Sequence, residues 1–196
     1  MEAKQVTEQL QQARSKRGNM VRQTYLHIIG EQPRLQWKCL LFKNVARPKA
    51  YFIMWLMLQK RLMTTDRLTK WGMKVSKKCV LCQMTDEIIE HLFVQCQFSI
   101  CLWNRLLAWS HNHDPIPANW DQFLKWCIRH GKVKVVATQI FKIILAKCVY
   151  AIWIERNNRV FQKKSSSVEY MAKEIAYITI VRAKSTLRNV LNSFIF

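Results

Sequence analysis

Glycine and proline are scarce in this chain, at four each among 196 residues. So few turn-formers exclude the closely spaced turns of a sandwich or barrel and favour long helices. Four glycines also leave no glycine-rich loop to cradle a phosphate. Acidic side chains are few as well, 12 Asp and Glu in total. The aspartates are Asp66, Asp86, Asp114 and Asp121, and no two stand at a spacing that suits two-metal chemistry. An enzyme is therefore not expected. The polar start, MEAKQVTEQLQQARSKRGN, lacks the apolar core of a secretory signal. The expected setting is intracellular and reducing, the nucleus ahead of the cytoplasm. The longest apolar stretch, VVATQIFKIILAKCVYAIWI at 135–154, is interrupted by Lys142 and Lys147. Each lysine would cost roughly 2.5–3.5 kcal/mol near a bilayer centre. A buried core helix is expected there, with no membrane partner.

What is abundant is positive charge. Lys and Arg number 32, giving a formal net charge of +20, and the excess runs through the whole chain. Self-repulsion of that size is relieved by a polyanion, so nucleic acid is the first partner expected. A basic face that is merely solvated is the plainer reading. Half of the residues are hydrophobic, with eight Trp and nine Phe, enough for a packed core. Seven cysteines in a reducing compartment point to metal binding or redox chemistry before a disulfide framework.

The pattern divides the chain into a polar segment at 1–20, a central region at 21–110 and a C-terminal helical region at 111–196. Residues 21–29 form a short helix before Gly30 and Pro33; 35–42 is helix or strand. Pro48 opens an apolar helix running through Leu62. Thr64 or Thr65 caps a short helix stopped by Gly72. Helix resumes near His91. HNHDPIPAN at 111–119 is a loop, with Asn119 a cap for a helix closed by Gly131. Long helices follow at 135–163 and 168–192. The expected fold is mainly α, with a small irregular knuckle in the middle.

The knuckle is CVLCQMTDEIIEHLFVQC, residues 79–96, a C-x2-C-x8-H-x4-C pattern. Zinc takes four Cys or His ligands in a tetrahedron, and both pair spacings suit a finger-like site. Cys79, Cys82, His91 and Cys96 are therefore the candidate ligands of one structural Zn2+. On an ideal helix, residues five apart lie about 140° from each other. His91 and Cys96 can meet at one ion only if the helix starts late or loosens between them. Glu87 and Glu90 are candidate acceptors for the imidazole N–H, or plain first-turn carboxylates. Thr85 or Asp86 would cap the helix. The competing view treats the cysteines as free thiols, like Cys39, Cys101, Cys127 and Cys148; Cys101 is also a conceivable substitute ligand. A redox C-x-x-C would want a strand leading to a helix N-terminus, which is not evident. The order of residues does not fit the H-x-E then P-C-x-x-C signature of zinc deaminases. His111, His113 and Asp114 make a weaker trio, read as loop polarity.

These residues resemble a known family. The run from Trp37 passes through PKAYFIMWLMLQKRLMTTDRLTKWG, CVLC and EIIEHLFVQCQFSICLW to Trp103. It is similar to the reverse-transcriptase zinc-binding domain that follows the polymerase in plant LINE-type (non-LTR) retrotransposon polyproteins. Downstream, IWIERNNRVF resembles a W-x-E-R-N-x-R-x-F stretch of the same polyproteins. The resemblance implies that the four candidates are the zinc ligands and that the domain assists nucleic-acid binding beside a polymerase. This chain has no Y-x-D-D, and Phe42 stands where the family often has a second tryptophan.

The leading expectation is a non-catalytic module binding RNA or single-stranded DNA, with no small-molecule substrate. Lys70, Lys74, Lys77 and Lys78 would contact phosphates. Trp71 and Trp103 would stack on bases, unless they are packed in the core, where tryptophan usually lies. Arg105, Arg156 and Arg159 would extend the basic track, with Lys163 and Lys164 beyond. The alternative is a structural helical remnant that docks on a polymerase domain or on itself.

Overall fold

The computed structural model describes residues 24, 25, 27, 28, 30, 35–42, 44, 46–132, 136–183, 188 and 191. The reading of 1–20 lies outside them. The chain divides into two compact units, Met1–Leu35 and Gln36–Phe196. In the first, Thr24, Tyr25, His27 and Ile28 are helical and Gly30 takes a left-handed φ of 71°.

The second unit is helical, with no strand among the described residues beyond one isolated bridge. Its α-helices are α1 (Lys38–Leu41), α2 (Pro48–Leu58), α3 (Thr65–Lys70), α4 (Gln97–Trp109), α5 (Trp120–Lys132), α6 (Val136–Asn157) and α7 (Val168–Arg182). Two five-residue π-turns, His91–Gln95 and Asn158–Gln162, precede α4 and follow α6. The mainly α expectation holds, and the ambiguous stretch at 35–42 contains a single helical turn.

Local chemistry sets the ends. Pro48 sits at the start of α2, where its missing N–H removes no helical bond. Gly72 ends α3 with φ 78°. Asn119 Oδ1 accepts the N–H groups of Asp121 (3.0 Å) and Gln122 (3.3 Å), capping α5. Ser167 Oγ does the same for Tyr170 (3.1 Å) at α7. Gly131 does not close α5, which runs on to Lys132. A Cβ there would lie 2.5 Å from Leu40 Cδ2, so the glycine lets α1 approach α5 closely. Helix α7 is interrupted at Ala183, where the backbone turns extended, and Arg188 and Leu191 are again helical; Arg188 Nη2 donates to the carbonyls of Val181 and Ala183.

Helix α6 is the axis of the core. It packs against α2, α4, α5, α7 and the first π-turn. Its Leu145, Cys148, Val149 and Ile152 are wholly buried. The helical stretch Val136–Gln162 is long and apolar enough to cross a membrane, yet 72% of its most apolar window is covered by the fold. Lys142 and Lys147 are buried on it. Lys142 Nζ reaches the Phe42 carbonyl (3.3 Å) just past α1, while Asn44 donates to the Lys142 carbonyl (3.0 Å). The lysine stem thus covers apolar surface and its ammonium finds an acceptor. Helices on both sides of residue 110 share this core.

Candidate metal centre

The knuckle is a short two-stranded loop closed on itself. Glu87 N–H donates to the Lys77 carbonyl (2.7 Å) and Cys79 N–H to the Thr85 carbonyl (2.8 Å). Inside this frame Gln83 N–H returns to the Cys79 carbonyl (2.8 Å), with Gln83 at a left-handed φ of 60°. That tight turn brings Cys79 and Cys82 together.

The second pair depends on the π-turn. Cys96 N–H donates to the His91 carbonyl (2.7 Å), an i→i+5 bond. An α-turn would splay residues five apart; the wider turn stacks them. The helix loosens between His91 and Cys96 just as two ligands on one ion require. Thr85 and Asp86 do not cap this turn, which begins at Ile89: Thr85 Oγ1 lies against His91 and Asp86 pairs with Lys78, while Cys96 is extended and α4 begins at Gln97 without a side-chain cap. Ser99 Oγ instead donates to the Leu92 carbonyl (2.6 Å), tying α4 to the π-turn.

The result is a compact donor set. The ligand atoms of Cys79, Cys82, His91 and Cys96 all lie within 4.8 Å of one another. Cys79 Sγ and Cys96 Sγ are 3.9 Å apart, and Cys82 Sγ is 3.2 Å from His91 Nε2. A tetrahedral zinc with Zn–S of about 2.3 Å and Zn–N of about 2.0 Å has edges of about 3.8 Å for S···S and about 3.6 Å for S···N. The donors therefore fit this ion by type, number and spacing. Three of the four are buried, and Cys82 is half-buried at the outer edge. Zinc held here would tie the loop to the start of α4, a structural service.

Electrostatics support the fit. A hydrogen bond from Cys79 to Cys96, reinforced by burial, drives the Cys79 thiol far above its ordinary range. The same bond lowers Cys96 against the effect of burial. One proton is thus held between two buried sulfurs, where a cation would replace it. Burial lowers His91, opposed by the nearby Glu87 charge, so the imidazole stays neutral and able to ligate. Thr85 Oγ1 lies 3.0 Å from His91 Nδ1 and 3.2 Å from Nε2. With Nε2 facing Cys82, Nδ1 is the nitrogen left for the hydroxyl.

The expected carboxylate partners of His91 are engaged elsewhere. Glu90 Oε1 accepts the Trp120 N–H (3.0 Å) and Gln95 Nε2 (3.3 Å). Glu87 is buried and accepts Arg156 through Nε (3.2 and 3.1 Å) and Nη2 (2.8 Å), together with the Thr65 N–H (3.0 Å). Arg156 is only 2% exposed and lies 5.2 Å from the Trp153 ring centre. Its expected place on a basic track is therefore corrected: it anchors the knuckle to α6. Arg159 is likewise committed. It donates to Glu155 (2.8 Å) and to the Leu81 carbonyl inside the knuckle (3.1 Å), over the Phe98 ring. Trp103 is also corrected. It is wholly buried, donates to the Phe93 carbonyl (2.9 Å) and packs on Phe123, so it has no face for a base.

The other basic candidates lie at the surface. Lys70, Trp71, Lys74, Lys77 and Lys78 are all exposed. Lys70 lies 3.9 Å from Asp66, and Lys78 3.7 Å from Asp86. Arg105 is exposed and pairs with Glu169. Asp114 binds Arg129 (2.7 Å) and His130 (3.3 Å), and the His111, His113 and Asp114 trio does not assemble as a metal group. Cys101 accepts from Gln97 (3.5 Å) and stands outside the ligand set.

Comparison with known proteins agrees with this geometry. Residues 20–103 match the family described as zinc-binding in reverse transcriptase. No curated protein and no solved structure matches the chain. The matched span contains all four ligands and the lysine run, whereas Arg156 and Arg159 lie beyond it. Three thiols and one imidazole converge inside that span, so residues 20–103 are similar, in sequence and in donor set, to a reverse-transcriptase zinc-binding domain.

Proposed function

We propose that this chain is a non-catalytic, retrotransposon-derived module, with one structural zinc, that binds RNA or single-stranded DNA through the basic surface beside the metal. One observation carries the reading. Lys70, Lys74, Lys77 and Lys78 are exposed along the segment that enters Cys79. The end of that segment is anchored, since the Lys77 carbonyl accepts both the Glu87 N–H (2.7 Å) and the Thr65 hydroxyl (3.1 Å). Exposed cations this close together can neutralise successive phosphates. The closed set of four protein ligands leaves zinc no open position for a Lewis-acid role. Unpaired ligand thiols suit a reducing compartment, and a nucleic-acid partner puts the nucleus ahead of the cytoplasm in this proposal.

Salt titration of binding tests it. Four phosphate contacts on a single strand give log K against log salt a slope of about −3. A slope near zero, or no binding, would refute the proposal.

A second reading rests on helix α7, which exposes Tyr170 (62%), Tyr177 (68%) and Val181 (50%). Such surface suits docking on a polymerase domain or on another copy. Salt-insensitive self-association without nucleic-acid binding would favour it.

A further inference from the structure

Beside the lysine row lies a cleft of about 430 Å³, lined by Lys60, Asp66, Arg67, Lys70, Trp71 and residues 88–90. That volume falls in the range of about 300–1,000 Å³ typical of small-ligand sites. Its wall joins α3 to the segment leading into His91. Three features bear on what it holds.

The first is Trp71. All eight tryptophans are described, and Trp71, 63% exposed, is the one classed as exposed; the others are buried or half-buried. Leaving an indole in water is unfavourable unless something covers it. The Arg67 guanidinium lies 5.9 Å from its ring centre and is itself held by the Lys60 carbonyl (2.7 Å). A positioned Arg–Trp pair is a platform for a further planar group.

The second is charge. Lys60 and Lys70 flank the cleft and are exposed. Cations at that reach suit the phosphates on either side of a stacked base.

The third is that carboxylates share this otherwise basic cleft. Asp66 Oδ1 is fixed by the Thr64 hydroxyl (2.6 Å), and Glu90 Oε1 by the Trp120 N–H (3.0 Å). Asp66 Oδ2 lies 3.9 Å from the exposed Lys70 Nζ, a loose pair in which the oxygen can also accept from a base amine, and Glu90 has a second oxygen to offer beside Oε1. A purely phosphate-binding surface would exclude such groups, since they repel phosphate. Carboxylate oxygens do accept the exocyclic amino group of cytosine; uracil and thymine present a carbonyl there and would be rejected.

We propose that this cleft binds one unpaired, amino-bearing nucleobase, stacked on Trp71 with its exocyclic amine turned to Asp66 and Glu90. The inference rests on the nucleic-acid reading above and deepens it. It makes the module selective for single strands over duplex and for cytosine over uracil or thymine.

The test measures binding of labelled homopolymers of C, of T or U, an abasic strand and a blunt duplex at one salt concentration. Wild-type protein should prefer the C strand. Trp71→Ala should weaken that complex by about 5- to 100-fold, leaving duplex binding and the salt slope unchanged. Trp71→Phe should retain most of the affinity. Asp66→Asn combined with Glu90→Gln should erase the preference for C. The abasic strand needs no variant: wild-type protein should bind it more weakly than the C strand by a factor similar to the Trp71→Ala loss. If wild-type protein binds no nucleic acid at any salt concentration, the proposed function itself falls. If it binds, but Trp71→Ala and the abasic strand leave affinity unchanged, only the base-binding cleft is overturned.

Discussion

Replacing Arg156 by methionine tests the view that α6 holds the knuckle in place. In the folded chain the Glu87 carboxylate is fully buried and receives three contacts from Arg156, at 2.8, 3.1 and 3.2 Å, and one from the Thr65 N–H at 3.0 Å. Arg156→Met leaves the carboxylate with one neutral donor. Removing one partner of a buried, hydrogen-bonded pair costs about 3–5 kcal/mol, because the other charge stays desolvated. Against a total stability of about 5–15 kcal/mol, that is a large share. For a chain of this size it lowers the melting temperature by roughly 6–20 °C. Adding Glu87→Gln should recover much of the loss, since glutamine keeps an acceptor for Thr65 without a charge to desolvate. The coupling should reach about 1–3 kcal/mol. Urea denaturation of the zinc-loaded single and double variants, followed by circular dichroism, supplies all four corners of the cycle. Nucleic-acid binding by the folded variant should keep its salt slope, because Arg156 is sealed from phosphate. A cost below about 1 kcal/mol for Arg156→Met, the scale of an exposed pair, would refute the reasoning.

Purified protein should contain one zinc per chain. Cys79→Ser should abolish tight retention and unfold the knuckle while most helical dichroism persists; global collapse would contradict this. Zinc affinity should fall with falling pH, as ions displace the proton held between Cys79 and Cys96, and proton release on zinc addition is measurable in weak buffer. His91 has a folded-state pKa below 6.5, so just under that pH the unfolded chain binds more protons. Stability of the zinc-free protein should therefore decline as pH drops below about 6.5, seen as a lower urea midpoint at pH 5.5 than at pH 7.5. Lys74→Gln and Lys77→Gln should each flatten the salt dependence of single-strand binding by about 0.7. Trp103→Ala should cost about 3–5 kcal/mol of stability, as a core cavity does, read from the denaturation midpoint.

Much of this was legible in the residues because it is local. Pro48, Gly72, Asn119 and Ser167 act where they stand, and the apolar period of α6 survives two lysines. Ligand spacing even required a distortion between His91 and Cys96, which the π-turn supplies. What sequence could not show was distance. Glu87 and Arg156 are 69 residues apart, so the arginine read as phosphate-binding and the glutamate as a neighbour of His91. A clue was present: in a chain with 12 acids against 32 bases, a glutamate beside a zinc ligand has many cations competing to bury with it. Trp103 misled for a similar reason, since periodicity places it on α4 but not on the inward face. Gly131 looked like a stop because its closeness to Leu40 comes from packing, not from the neighbouring residues.

The ligands sit within 18 consecutive residues, but their support arrives from Arg156 and Arg159, more than fifty residues past the end of the recognised span. A laboratory fragment trimmed to 20–103 would hold every atom needed to grip the ion and still strand a carboxylate in its interior. The piece that can be excised intact must reach at least the turn ending at Gln162.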